Sequence, residues 1–241
     1  MNSAEARALR SGGRSFGIEI GPDPADRIGR FLHVLSTWNE RVRLTAERDL
    51  GLIIERHVLD SFAAIPYLPA AGLAIDLGSG GGFPGIILGC VRPELDLVLL
   101  DARRRKVSFL REAIRTIPLE RARAVELRAE AAGTDPDLAA GAALVVGRGL
   151  RLDVFLTLAA PLLEPSGRIV AMQTPATAVG AKSAGGHQGL HLIDRHDYVL
   201  PGHRQRSILL YALDRVSSPI TLWYRDRVGV RGRSRMPRWS G

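Results

Sequence analysis

A chain of 241 residues, 46% of them apolar, is long enough to bury one full core, and none of its apolar runs reaches the roughly 20 residues a membrane-spanning helix needs. A single cysteine excludes an internal disulfide framework and a cysteine-built metal cluster. The formal charge of +8 would suggest a nucleic-acid partner, but residues 214–241 hold seven arginines against two aspartates, so residues 1–213 carry only +3.

Residues 1–24, rich in Gly, Ser and Arg and running into GPDPAD (21–26), read as a flexible N-terminal arm without the apolar stretch of a signal peptide. Over 25–70, Ile28, Phe31, Leu32 and Leu35, then Ile53, Ile54, Val58 and Phe62, recur at helical spacing and predict a small helical lobe. From 71 onward short apolar runs alternate with helices. LAIDL (73–77) predicts a buried strand, followed by a glycine turn and a helix from about Pro84. DLVLLD (96–101) predicts a second strand, RKVSFLREAIRTI (105–117) a helix, and RAVELR (123–128) a weaker strand. ALVVG (143–147) and GRIVAM (167–172) predict strands on either side of a helix at 152–163. HLIDRHDYVL (191–200) and RSILLYAL (206–213) predict a closing antiparallel pair.

The expected fold is α/β: a Rossmann-like, mostly parallel sheet with helices on both faces, forming one domain over 25–213. Cys90, among Ile86, Ile87, Leu88 and Val91, reads as a buried small hydrophobe. The basic tail, 214–241, reads as disordered, with Trp223, Tyr224 and Trp239 as potential stacking groups for RNA. A soluble, cytoplasmic, monomeric protein is expected.

AIDLGSGGGFPGIIL (74–88) carries the chemistry. Gly80, Gly82 and Gly85 spell G-x-G-x-x-G, a weak signal alone that a tight strand-to-helix turn would rival, but five glycines in eight positions are hard to explain by a turn alone. Asp76 bears on the choice. A carboxylate at the mouth of such a loop repels a pyrophosphate and suits S-adenosylmethionine, which carries a sulfonium and an ammonium. Asp76 as a plain helix cap is the competing reading. Asp101, ending the next strand, is placed to accept hydrogen bonds from ribose hydroxyls, as similar acids do in NAD enzymes too. The D-x-G-x-G order resembles the class I methyltransferases.

A closer resemblance spans residues 28–213. WNERVRLTA (38–46), RHVLDS (56–61), IDLGSGGGFPGI (75–86), VRPELDLVLLD (91–101), RKVSFL (105–110), RAE (128–130) and LLEPSGRIVA (162–171) stand in the order and spacing of one family. They resemble the RsmG-type (glucose-inhibited division protein B) guanine-N7 methyltransferases of small-subunit ribosomal RNA. The resemblance implies S-adenosylmethionine as cofactor and 16S ribosomal RNA or the small ribosomal subunit as partner. It implies Gly78 and Phe83 beside the methionine and adenosine, Asp101 at the ribose, and Ala129 and Glu130 flanking the adenine. Arg148 would serve the cofactor carboxylate or an RNA phosphate.

His57, Asp60 and Ser61, at i, i+3 and i+4, read as a polar network tying the helical lobe to the cofactor loop. The chain departs from the family pattern at Ala143 (usually Asp), at Gly147 and Gly149 (Ser and Ala around the arginine), and at Gln173 and Thr174 (Lys-Gly). These departures leave open a divergent methyltransferase with another substrate, or a non-catalytic RNA- or ribosome-binding module. Guanine N7 carries its own lone pair, so no general base and no metal is expected. Asp76 and Arg148 are the candidates for electrostatic help. A body charge of +3 makes salt-driven RNA binding depend on arginines clustering on one face, with Arg103, Arg104, Arg105 and Lys106 as the first place to look.

Overall fold

Alternating strands and helices condense here into one seven-stranded sheet, seen in a computed structural model that describes residues 1–181, 184 and 186–214. The readings for the tail from 215 onward therefore lie outside the described residues. The chain begins with α1 (Ser3–Ser15), α2 (Pro22–Asn39), α3 (Leu50–Ile53), a π-helical turn (Ile54–Val58) and α4 (Leu59–Phe62). Then come β1 (Leu73–Leu77), α5 (Gly85–Val91), β2 (Asp96–Asp101), α6 (Arg104–Thr116), β3 (Ala122–Glu126), α7 (Ala129–Ala132), β4 (Ala142–Arg148) and α8 (Leu152–Ala159). β5 (Leu163–Gln173), β6 (Leu190–Leu200) and β7 (Arg204–Leu213) complete it.

The spatial order is β3-β2-β1-β4-β5-β7-β6, with β1 to β5 mutually parallel and β7 antiparallel to both of its neighbours. The order reverses between β1 and β4, and ligands of such sheets bind outside the carboxyl ends of the strands at that point. No helix among the described residues is long and apolar enough to cross a membrane.

Strand alternation decides what each face holds. Ala74, Leu97, Leu99, Leu144 and Val146 point to a face covered by the N-terminal helices, α5 and α6, where Phe31, Phe62, Phe83 and Phe109 fill the core. Ile75, Leu77, Val98, Val145 and Ile169 point to the other face, against Phe155, Leu156 and Tyr211. Asp76, between Ile75 and Leu77, therefore faces the first side and lies under α5. Cys90 is fully buried in the same core, as its neighbours implied.

The first correction concerns the N-terminal arm. Residues 3–15 are helical, started by a capping box in which Asn2 Oδ1 accepts from Glu5 N–H at 2.9 Å and Asn2 N–H donates to Glu5 Oε2 at 2.7 Å. Leu9 is fully buried, and the only other buried residue of α1 is Gly13. A helix that buries so little leaves an Arg-, Gly- and Ser-rich surface, which is why it reads as a loose segment. A smaller correction is that the helix expected to reach 163 stops at Ala159. Pro161 sits in the 3₁₀ turn that follows (Ala160–Leu162), having no N–H to extend an α-helix.

Candidate active site

The turn from β1 to α5 folds over the carboxyl end of β2. Gly78, Gly80 and Gly82 adopt φ of +83°, +56° and +86°, a region glycine enters without strain. The N–H groups of Gly78 and Ser79 donate to Leu100 O at 2.8 and 2.9 Å, and Gly80 N–H donates to Asp101 Oδ2 at 3.0 Å. Asp101 Oδ1 accepts from Arg103 N–H at 2.8 Å, and the Lys106 ammonium stands 3.9 Å from Oδ2. Leu127 N–H, at the end of β3, donates to Asp101 O at 3.2 Å, so the ends of β2 and β3 are tied together. Ala129, half-buried, opens α7 just beyond, with Glu130 exposed beside it.

Asp76 is the second correction. Its side chain is fully buried, and Oδ2 accepts from Gly85 N–H, the first residue of α5, at 2.9 Å. A β-carbon at Gly85 would fall inside the Leu99 side chain and against that carboxylate, so only glycine lets the helix approach. Asp76 is thus a helix cap and presents no charge at the mouth of the loop. Its Oδ1 is buried without a partner among the described residues. Burial pushes the carboxyl up to about 6, against the lowering effect of the Gly85 hydrogen bond.

The raised pKa carries a stability consequence. Between the ordinary aspartate value and about 6 the folded chain binds the proton more tightly than the unfolded chain, so this group makes stability fall as pH rises through that window. The loss amounts to roughly 3 kcal/mol once both states are ionised. Asp76→Asn is expected to remove this component from urea midpoints measured between pH 4 and 7. An unchanged pH slope in the variant would place the titration elsewhere.

The acceptor chemistry of the turn fits S-adenosylmethionine. The remaining lone pairs of Asp101 suit a molecule that brings ribose hydroxyls as donors, while the buried Asp76 carboxylate holds the start of α5 beneath the turn. Asp101 thus fits a nucleoside, and the acid expected at the mouth of the loop is not there to choose between cofactors.

A second set of residues gathers at Arg148, the last residue of β4. Its Nη1 donates to Asp60 Oδ2 at 2.8 Å and its Nη2 to His57 Nδ1 at 3.1 Å, while the guanidinium carbon stands 5.5 Å from the centroid of the Phe83 ring. His57 stacks on the same ring at 5.1 Å, and its Nε2–H donates to Glu47 Oε2 at 2.9 Å. Phe83, expected beside the cofactor, is 5% exposed, with its ring contacting His57, Phe31 and Arg148.

Burial and the adjacent Arg148 hold His57 below the ordinary imidazole value, so the ring is neutral near pH 7 and Nδ1 is free to accept. Burial opposes ionisation of Glu47, but hydrogen bonds from His57 and Arg56 outweigh it and hold that carboxyl at about 2. Asp60 also accepts from Tyr198 Oη at 2.7 Å and lies 3.7 Å from Arg206 Nε. Ser61 turns back instead, donating to His57 O at 2.7 Å. The helical triplet is thus a positioning device. The π-helical turn just before Asp60 brings it and His57 onto the one guanidinium.

The WNERVRLTA block has a local task. Asn39 Oδ1 accepts from the N–H groups of Leu44 and Thr45 at 2.9 and 3.0 Å, and its Nδ2 donates to Glu47 O at 3.0 Å. This clamp lays the loop on the glycine turn, where a β-carbon at Gly81 would stand 3.0 Å from Leu44 O. It also delivers Glu47 to His57.

Arg148 borders a cavity of about 440 Å³ at the carboxyl ends of β4 and β5, whose basic lining is Arg56, Arg148, Arg151, Arg204 and Arg206. Leu150, also on its wall, lies 3.8 Å from the position a β-carbon would take at Gly78, so the cavity adjoins the glycine turn. Sequence reasoning found Arg148, His57 and Asp60 here but missed Glu47, Arg56, Tyr198, Arg204 and Arg206. Glu47 directly follows the WNERVRLTA block, which was the one signal that could have found it. Arg56 opens the RHVLDS block, whereas Tyr198, Arg204 and Arg206 carry no local signal, since Tyr198 and Asp60 are 138 positions apart.

The departures have local explanations. A β-carbon at Gly147 would run into the Phe155 ring, and Gly149 has φ +84°. The Gln173 amide is held by Leu150 O at 3.1 Å, and Thr174 bonds with Thr177. Ala143 lies against Gly72, where a β-carbon would approach within 2.9 Å.

Residues 25–184 match the GidB family, described as rRNA small subunit methyltransferase G. The chain is 31% identical over 206 residues to the ribosomal RNA small subunit methyltransferase G of Myxococcus xanthus (strain DK1622), covering 85% of this chain and 95% of that protein. The protein of the same name from Geobacter sp. (strain M21) is 33% identical over 206 residues, covering 84% and 94%. Among solved structures, a TehB-like SAM-dependent methyltransferase from Corynebacterium glutamicum shares the fold with a TM-score of 0.51 at 16% identity, over 78% of this chain and 100% of that one. By this match over most of its length, the chain belongs to the GidB family, the rRNA small subunit methyltransferase G proteins.

Proposed function

We propose that this chain methylates N7 of a guanine in 16S ribosomal RNA, using S-adenosylmethionine. The observation that carries the reading is the contiguity of two unlike sites. An acceptor-rich glycine turn adjoins a cavity lined by five arginines, with Arg148 fixed between them. The first suits the cofactor and the second suits RNA. It would act as a monomer, and a ribosomal RNA substrate supports a cytoplasmic location.

When bound, the cofactor supplies an electrophilic methyl group. Asp101 and the backbone of the glycine turn would hold its ribose, with Ala129 and Glu130 near its base. Guanine N7 is unprotonated at neutral pH and attacks through its own lone pair, so the protein has no proton to remove. The work left to this chain is orientation, which can supply several orders of magnitude in rate. Arg148, held by Asp60, His57 and Phe83, is a rigid donor for the guanine O6 edge or an adjacent phosphate. Arg204, exposed on the cavity wall and without an ion pair among the described residues, would neutralise an RNA phosphate.

Primer extension across small-subunit RNA from a strain lacking the gene tests the reading. Loss of a single N7-methylguanine signal is expected, and an unchanged methylation map would reject it.

A further inference from the structure

Some exposed arginines in this protein, among them Arg30, Arg115, Arg121 and Arg195, pair with a carboxylate. Others, among them Arg41, Arg43, Arg103, Arg104 and Arg105, form no ion pair or side-chain hydrogen bond among the described residues. Unmatched guanidinium groups repel one another, so a cluster of them calls for an anionic partner.

Two of these unmatched arginines line the same cleft. Arg41, just past the end of α2, and Arg105, from the first turn of α6, flank a space of about 390 Å³ that Trp38, Val42, Thr37 and Ser108 complete. The Trp38 indole is half-buried and anchored edge-on against Phe109 at 6.0 Å. The loop carrying Arg41 and Val42 is fixed by the Asn39 clamp. A rigid aromatic wall between two unpaired guanidinium groups, with hydroxyls at hand, is the chemistry that holds single-stranded nucleic acid. The base stacks and the phosphates pair. Glu40, the acid nearest to Arg41 along the chain, is exposed and makes no ion pair with it.

We propose that this cleft is a second RNA subsite, outside the cavity at Arg148. One unpaired base rests on Trp38, and Arg41 and Arg105 meet the phosphates on either side. The inference rests on the reading that the chain acts on RNA and deepens it. One loop joins the two sites: Arg41 and Val42 line the cleft, Leu44 lies on Gly81, and Glu47 lines the cavity. Six residues of chain span at most about 20 Å, so a strand with its target in the cavity reaches the cleft within a few nucleotides.

The test uses the full chain carrying Trp223→Phe and Trp239→Phe, which leaves Trp38 as its one indole. Titration with a single-stranded RNA of about ten nucleotides should quench Trp38 emission. Adding Arg41→Ala and Arg105→Ala should abolish the quenching and weaken RNA binding about tenfold. The slope of log K against log salt should become shallower by about 1.4, since each of the two phosphates no longer neutralised accounts for about 0.7. Affinity for S-adenosylmethionine should be unchanged, which shows that the variant is folded.

An unaltered salt slope and persistent quenching in the double variant, with the parent still methylating RNA, would overturn the subsite and leave the enzyme reading intact. Quenching by polyglutamate but not by RNA would assign the cleft to an acidic protein and overturn it equally. A parent that neither binds nor methylates RNA would overturn both.

Discussion

Asp60→Ala is expected to destabilise the chain by about 3–5 kcal/mol, because it leaves Arg148 and Arg206 partly buried without their shared carboxylate. The Tyr198 hydroxyl, held in its protonated form by burial and by that carboxylate, would lose its acceptor as well. Methyl transfer is expected to fall at least about 100-fold, the order of loss that follows a shift of about 1 Å in a positioned group. Asp60→Asn keeps acceptor oxygen for Tyr198 but removes the charge, so it should recover part of the stability and little of the activity. Urea denaturation and single-turnover methyl transfer check the two effects separately. Full activity in a folded Asp60→Ala chain would show that Arg148 needs no such support.

Asp101→Ala is expected to raise the dissociation constant for S-adenosylmethionine by about 100-fold or more. The carboxylate accepts from the backbone N–H of Gly80 and of Arg103, and hydrogen bonds to charged groups contribute about 1.5–3 kcal/mol each. Its removal would slacken the glycine turn and delete the ribose acceptor together. Isothermal calorimetry on Asp101→Ala and Asp101→Asn reads this directly, with the smaller loss expected for asparagine. A change of under threefold in both variants would put the ribose elsewhere.

The strands were legible because sheet periodicity is local. LAIDL coincides with Leu73–Leu77 and DLVLLD with Asp96–Asp101, and the closing pair lies within β6 and β7. Helix α1 was not legible, since its packing surface is little more than Leu9 and a glycine, and its remaining residues match those of a loose arm. The glycine turn was found by composition, but the orientation of Asp76 was not. One register step decides whether a strand residue points under α5 or away from it, and that choice depends on how the flanking runs pack.

The Arg148 site shows the same limit at longer range. His57 and Asp60 share a helical segment, so their spacing declared them neighbours. Glu47, Tyr198 and Arg206 meet them only because the loop after α2, β6 and β7 converge on the same edge of the sheet. The spare arginines reveal themselves only once the paired ones are identified. A formal charge counts both kinds equally.

Transfer of a methyl group to one guanine of small-subunit RNA is tested best with purified components. The full chain is incubated with methyl-labelled S-adenosylmethionine and small ribosomal subunits, or their naked RNA, from a strain lacking the gene, and the nuclease digest is read by mass spectrometry. About one labelled 7-methylguanosine per RNA molecule, at a single position, is expected. Label on another base or on ribosomal protein, or no transfer by a chain that binds the cofactor, would contradict it.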